Sequence, residues 1–230
     1  MADYNYLSLV NDVNKRLNEV KLTADNFDSA VGYYEDVKNA VNAAIRDINY
    51  DQFQWPFNHV VQEEALVANT TRYSFPNDTK SVDMDTFRIK YDETLGNGTT
   101  KLNVLSYEEY LEKYVDQEYN TTNANLGAPI MVFRTPNLQY GVYPLPDQAY
   151  NIIYEYYRLP VDLEAYDDVP TVPESFKHVI NEGAMYYAYM FRGDLDAASL
   201  SLQKFTKGLK SMRTIFINRY EYVRSYMVNR

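Results

Sequence analysis

The sequence predicts an α+β protein: a four-helix bundle built from an N-terminal and a C-terminal helix pair, with a mostly antiparallel β domain inserted between the pairs. Near both ends of the chain, apolar residues recur every three or four positions, which is the spacing of one helix face. Between residues 58 and 160, short β-prone runs alternate with Asn, Gly and Pro turn signals. We therefore expect a helical bundle from residues 1–57 and 161–230, and a β-rich domain from residues 58–160.

The N-terminal helix pair is predicted from two apolar stripes, in residues 4–20 and in residues 30–53. Asp28 or Ser29 is expected to cap the second helix with its side-chain oxygen. Pro56 ends that helix, because a residue that precedes proline avoids the α-helical region. The aromatic residues around Pro56 are expected to close one end of the bundle.

The C-terminal pair is predicted on either side of a break at Gly193. The segment Thr171–Glu174 has the spacing of a capping box for a helix over residues 173–192. Gly193 supplies the stop, and Asp194 or Asp196 is expected to cap the next helix. That helix, over residues 195–227, carries an apolar seam of Ala198, Leu202, Phe205, Leu209, Met212, Phe216, Val223 and Tyr226.

The middle of the chain is expected to form antiparallel strands, because its turns are too short for parallel crossovers. The expected sheet segments are residues 58–105 and 128–158. Ser106 is expected to cap a short helix that runs to about Val115. Residues 116–127, which are polar and rich in Asn and Thr, are expected to form a loop.

Composition excludes several classes of function. The formal net charge of −10 disfavours a sequence-independent nucleic-acid binder, which needs Lys and Arg to displace counterions from phosphates. Without cysteine, disulfides and thiolate metal sites are excluded. No apolar run is long enough for a transmembrane helix, so no membrane partner is expected. The 24 tyrosines against one tryptophan are explained either by core filling or by extensive protein–protein contacts.

No pattern in the sequence predicts catalysis. His59 and His178 are each isolated, and two separate histidines give no metal-ligand spacing. Glu63 and Glu64 are adjacent in a predicted strand, so they point to opposite faces and cannot flank one bond. Glu108 and Glu109, in a first helical turn, are explained by the helix dipole, and Asp167-Asp168 is the remaining carboxylate pair. We therefore expect no enzyme activity, no catalytic or metal site, and no cofactor.

The chain resembles the head-to-tail adaptor (head-completion) proteins of tailed bacteriophages, the group that includes tail tubular A proteins of short-tailed phages. The segments that carry the resemblance are Asn11 to Asn14, Ala40 to Phe57, Ala128 to Asp147, Tyr154 to Pro160, and Val172 to Asp194. The resemblance implies a ring, usually dodecameric, that binds the capsid portal, extends the DNA channel and offers a platform to tail or nozzle proteins. It also implies a place in the virion neck after assembly in the host cytoplasm. DNA is expected to pass without specific binding, since like charge removes phosphate contacts.

Two sets of residues are expected to serve this role. The channel is expected to be acidic, with contributions from Asp116, Glu118, Asp167 and Asp168. The basic, tyrosine-rich C-terminus, which continues a helix carrying Lys207, Lys210 and Arg213, is expected to dock on the portal or on another subunit. Its docking residues are Arg219, Tyr220, Tyr222, Arg224, Tyr226, Met227 and Arg230. The alternative is that these residues cap the chain's own bundle.

Two other functions compete with the adaptor. The first is a binding module in which exposed tyrosines on strands 139–143 and 150–158 recognise a carbohydrate, or in which the β domain reads a peptide. The second is a carboxylate-dependent hydrolase. A binding module is expected to stay monomeric with or without a portal protein, whereas an adaptor assembles on it.

Overall fold

The computed structural model describes residues 4–52, 54–90, 98–119 and 125–216. The chain divides into two compact units: a helical unit, Met1–Asn58 with Pro160–Arg230, and a β unit, His59–Leu159. The described residues form seven α-helices and two mostly antiparallel sheets, which confirms the predicted α+β class. None of these helices is both long and apolar enough to cross a membrane.

Four helices of the helical unit share one buried core, to which Val10, Val41, Ile180 and Met212 each contribute a side chain with no exposed surface. Helix α6 is central, since it packs against α1, α3 and α7. The N- and C-terminal segments therefore fold together, and their arrangement as a four-helix bundle stays a prediction. The helices are α1 (Tyr6–Arg16), α2 (Ala24–Phe27), α3 (Tyr33–Asp51), α6 (Lys177–Arg192) and α7 (Leu195–Phe216).

Helix α1 is shorter than the predicted span of 4–20, because local polar groups set its ends. The Asn5 side chain accepts a hydrogen bond from the Ser8 backbone N–H (2.9 Å), while Ser8 Oγ lies 3.3 Å from the Asn5 N–H. This reciprocal capping box fixes the start of the helix. At the other end, Asn18 adopts a left-handed conformation with φ of +58°, which a helix cannot continue through.

The connection between α1 and α3 has a structure of its own. It contains the short helix α2, and Phe27 at its end is completely buried. The residue before α3 is Gly32, with φ of +64°, so the prediction that Asp28 or Ser29 caps this helix is wrong. Glycine permits the left-handed backbone that turns the chain into α3.

The aromatic run after α3 closes one end of the core. Trp55 is completely buried, and its indole Nε1–H donates to the Ile48 carbonyl (2.6 Å). Its ring stacks on Phe57 and meets Phe216 edge-on, with centroids 5.3 and 6.2 Å away. Phe176, just before α6, also contacts Phe216. Phe53 lies outside the described residues.

The entry to α6 differs from the predicted capping box. Pro173 is extended, Glu174–Phe176 form a 3-10 turn, and the α-helix starts only at Lys177. The Thr171 hydroxyl is buried without a hydrogen-bond partner among the described residues, so it caps nothing there. Proline has a fixed φ and no backbone N–H that a capping side chain could bind, which favours a 3-10 turn before the α-helix begins.

The break between the last two helices is as predicted. Gly193 is left-handed, with φ of +75°, and the Asp194 carboxylate accepts from the Ala197 N–H (3.1 Å) to cap α7. The predicted apolar seam of α7 needs one correction. Leu202 is 41 % exposed, and Ser201 takes the buried position at that level. Residues 217–227 of the predicted helix lie outside the described residues.

The β unit contains two four-stranded sheets, with orders β1-β8-β3-β4 and β2-β7-β6-β5. Strands from both predicted β segments pair within each sheet. Side chains from both sheets, including Phe87 and Tyr140, share one buried core. The strands are β1 (His59–Ala65), β2 (Arg72–Ser74), β3 (Thr79–Lys90), β4 (Thr99–Lys101), β5 (Asn103–Leu105), β6 (Met131–Arg134), β7 (Gln139–Tyr143) and β8 (Asn151–Arg158).

One strand pair departs from the antiparallel prediction. Strands β5 and β6 are parallel, with Val104 opposite Val132. The connection between them is long enough for a crossover and contains helices α4 (Tyr107–Lys113) and α5 (Val115–Tyr119). Ser106 caps α4 as predicted. Helix α5 corrects the expectation of a loop from residue 116, while residues 120–124 lie outside the described part.

Candidate interaction surfaces

The two histidines make ordinary structural contacts. His59 Nε2 lies 3.0 Å from Glu155 Oε2, and its ring meets Tyr157 edge-on. The ring of His178 lies against that of Phe176. Among the described residues, no three His, Asp or Glu side chains gather as metal ligands.

The carboxylate pairs are held by neighbours. Glu63 lies 3.3 Å from Lys90 Nζ, whereas Glu64 accepts a hydrogen bond from the Tyr140 hydroxyl (2.9 Å). The two glutamates occupy successive positions of β1, so their side chains lie on opposite faces of the sheet, as the sequence predicts. Glu109 pairs with Lys113 along α4 at 2.6 Å.

The tyrosines of β7 and β8 are mostly core residues. Tyr140 and Tyr154 have no exposed surface, and Tyr143 and Tyr156 are also buried. The expectation that these strands present tyrosines for stacking on sugars is therefore wrong for these four residues. Burial is the main reason that the pKa values of Tyr140 and Tyr154 lie above the ordinary value of tyrosine.

The predicted channel residues of the β unit have different surroundings. Asp116 is exposed on α5. The Glu118 side chain is only 20 % exposed, and it binds Arg72 (Nε–Oε1 2.8 Å) and accepts from the Tyr110 hydroxyl (3.0 Å). The hydrogen bond with Glu118 is the largest cause of the raised pKa of the Arg72 guanidinium. Glu118 thus ties α5 to β2 and α4.

The predicted channel residues of the helical unit lie in residues 161–169. Asp168 Oδ2 accepts from the backbone N–H groups of Glu164 and Ala165, both at 2.7 Å, and its carbonyl accepts from the Tyr6 N–H at 2.8 Å. Asp168 therefore shapes the segment and holds it against the start of α1. Asp167 is exposed.

The outward side of α7 forms a surface that we call the basic face. Between Asp196 and Phe216 the sequence has four cations and no acidic residue. Because α7 packs on α6 with its apolar seam, residues at helical spacing on the other side face solvent. The exposed residues that define the basic face are Leu200, Lys204, Lys207, Lys210 and Ile215.

The cations of α7 differ in their partners. Arg213 forms an ion pair with Asp51 at the end of α3, whose side chain is 14 % exposed, and this pairing raises the pKa of the guanidinium. Lys204 Nζ lies 4.0 Å from Glu182. Within the described residues, the structure gives Lys207 and Lys210 no ion pair. The middle of the basic face therefore offers charge that the fold does not neutralise.

A second surface in the helical unit carries the opposite charge. Residues 24–36 hold four carboxylates, and the one Lys38 amino group that donates to the Phe27 carbonyl (2.9 Å) offsets only part of their charge; we call residues 24–36 the acidic corner. Asp25, Asp28 and Glu35 are exposed, and Val31 between them is 75 % exposed. The corner is fixed to the core by Phe27, whose ring meets Tyr6 edge-on at 5.1 Å. Sequence reasoning did not single out this surface.

The residues predicted to dock on the portal all lie outside the described part of the chain. They are Arg219, Tyr220, Tyr222, Arg224, Tyr226, Met227 and Arg230. Their role stays a prediction.

Comparison with known protein families gives one match across both units. The family model described as SU10 adaptor protein matches residues 4–227. No curated protein matches the chain.

Proposed function

Because the chain belongs to the SU10 adaptor protein family, a family of phage head-tail adaptors, we propose that it joins the portal of the capsid to the tail. The family is one of structural adaptors rather than enzymes, and it implies a component of the virion neck. The proposed assembly is a ring, taken as dodecameric from the resemblance, that extends the DNA channel below the portal and gives the tail its attachment platform. The observation that carries the proposal is the family match, which spans 4–227.

Charge supports the channel role. A net charge of −10 disfavours adhesion of DNA to the protein, because like charges repel. We propose that Asp116 and Asp167, which are exposed, contribute free carboxylates to the channel wall. Glu118 and Asp168 would add charge there while their hydrogen bonds hold the backbone.

The C-terminus is the proposed portal contact. Tyrosine, methionine and arginine are typical of the anchors of protein interfaces, and they dominate residues 219–230. In the described structure, the aromatic cluster of Trp55, Phe57 and Phe216 already closes this end of the helical core. In this proposal, residues 219–230 supply the contact with the portal.

The test is assembly on a portal. The purified chain is mixed with the portal protein of the same phage, and the mass of the species is measured by size exclusion with light scattering. An adaptor forms a complex whose mass corresponds to a portal ring plus many copies of this chain. A chain that remains monomeric beside assembled portal rings would overturn the proposal.

A further inference from the structure

We infer that copies of this chain associate through the basic face of one copy and the acidic corner of the next. The inference rests on the proposed function only in that several copies assemble together. The basic face contains Lys207 and Lys210, and the acidic corner contains Asp28 and Glu35.

The first argument is the charge pattern of the helical unit. Two of the four cations of α7, Lys204 and Arg213, lie near acids of their own chain, so Lys207 and Lys210 carry unneutralised positive charge in a protein whose net charge is −10. A solvated face of such a protein would be expected to mix both signs or to be acidic. Concentrated positive charge on one helix instead favours an acidic partner, and the chain itself supplies one.

The second argument is that the two surfaces match in apolar content as well as in charge. On the basic face, Leu200 is 54 % and Ile215 is 66 % exposed, at the two ends of the lysine row. At the acidic corner, Val31 is 75 % exposed. Both surfaces therefore combine apolar and charged groups, as protein–protein contacts do.

The third argument is that the surfaces belong to different elements. The basic face lies on α7, which packs mainly on α6, whereas the acidic corner lies on α2 and the start of α3. The dipole of α3 is enough to explain an acidic residue at Glu35, in the first turn of that helix. It does not account for Asp28, which follows α2. When two copies join in this way, one basic face and one acidic corner stay free. Further copies can therefore add until the assembly closes into a ring.

The experiment is a charge swap. The basic variant carries Asp25→Lys, Asp28→Lys and Glu35→Lys, so that both of its surfaces are positive; the acidic variant carries Lys207→Glu and Lys210→Glu, so that both are negative. Each variant alone should need a protein concentration roughly tenfold or more above that of the wild type to assemble, either by itself or on portal rings. The reason is that like charges face each other across the contact. A mixture of the two variants should recover assembly, since opposite charges again meet.

Controls separate the possible outcomes. Lys15→Glu with Lys101→Glu makes the same change in net charge as the acidic variant at residues that belong to neither surface, and should assemble like the wild type. Thermal unfolding and circular dichroism establish that each variant is folded. The inference is wrong if the folded variants assemble like the wild type, or if their mixture does not recover. A wild-type chain that never assembles, with or without portal, overturns the proposed function as well.

Discussion

The ring of Phe205 in α7 fills the space that a side chain at Gly183 in α6 would need. A Cβ at Gly183 would lie 2.9 Å from Phe205 Cε2 and 2.8 Å from Ala44 Cβ in α3, both closer than carbon atoms tolerate. The reciprocal contact places Val179 Cγ2 2.8 Å from a Cβ at Gly208. Glycine thus lets α3, α6 and α7 approach closely at these points, and the core of the helical unit depends on it.

Gly183→Ala should therefore destabilise the protein, although alanine is favoured over glycine inside a helix by about 1 kcal/mol. Overpacking typically costs about 1–3 kcal/mol, and Ala44 Cβ is fixed to its own helix, so it cannot move aside. Urea denaturation followed by the fluorescence of Trp55, the one tryptophan, measures this. Ser199→Ala, at an exposed position of α7, is the control. Increased stability of Gly183→Ala would show that α6 does not approach α3 and α7 closely here.

Gly141→Ala should destabilise the β unit. A Cβ there would overlap Phe133 Cζ, because the Phe133 ring on β6 covers its partner glycine on β7. Tyr110 stacks on that ring, with centroids 3.8 Å apart, which limits how far the ring can move aside. We expect a loss of about 1–3 kcal/mol in the free energy of unfolding.

The matching rescue is Phe133→Leu added to Gly141→Ala. The smaller side chain removes the clash, so the double variant should lose less stability than the sum of the two single losses. Additive losses in this double-mutant cycle would mean that the ring does not cover the glycine.

Glu118→Gln should destabilise the protein, whereas Asp116→Asn should not. Glu118 binds Arg72 and Tyr110 with its side chain only 20 % exposed, while Asp116 is exposed on the same helix. Weakening a charged, partly buried hydrogen-bond acceptor costs on the order of 1–3 kcal/mol. Equal unfolding temperatures for both variants would mean that the Arg72 contact adds no stability.

Stability should fall as the pH rises above that of normal tyrosine ionisation. Burial, the largest cause, raises the pKa values of Tyr6, Tyr110, Tyr140 and Tyr154 above the ordinary value. Each hydroxyl therefore holds its proton more tightly in the folded chain than in the unfolded one. Each hydroxyl contributes fully to the free energy of unfolding when the pH is below about 10, the ordinary pKa of tyrosine. Above that pH the contribution is lost, at up to about 1.4 kcal/mol per pH unit for each group.

Urea denaturation at several alkaline pH values measures this slope, and tyrosinate absorbance reports ionisation. Tyr140→Phe should make the slope shallower, because the variant lacks one of these groups. A free energy of unfolding that stays constant well above a pH of about 10 would contradict the burial of these hydroxyls.

Deleting Tyr220 to Arg230 should leave the monomer folded and abolish binding to the portal. The deletion keeps Phe216, which completes the aromatic cluster with Trp55 and Phe57. Thermal unfolding and portal binding are measured on the same preparation. If the truncated protein does not fold, residues 220–230 belong to its core and the docking proposal is wrong.

The sequence predicts those elements that depend on spacing along the chain. The apolar repeat identifies the four long helices, and Gly193 with Asp194 marks the last break, because left-handed glycine and a capping carboxylate act locally. Helix starts are less predictable where several side chains compete for the same role. Thr171 has the right spacing for a capping box, yet Pro173 and the 3-10 turn after it delay the helix.

Features that depend on distant parts of the chain could not be predicted in this way. Within a single helix, Gly183 and Gly208 are only destabilising. They are needed because Phe205 packs directly against Gly183, and Val179 directly against Gly208, from the facing helix. The parallel pairing of β5 with β6 depends on a long crossover. On the surfaces, Lys207 and Lys210 were visible in the sequence, whereas the acidic corner required knowledge of which residues are exposed.

The most direct measurement of the central claim is electron microscopy of the virion neck, in particles that carry this chain with an added tag bound by a gold-labelled antibody. The proposed function predicts label in a ring directly below the portal and above the tail, with density into which both units of the chain fit. Label found only on the capsid shell or at the far end of the tail, with neck density explained by other proteins, would contradict it.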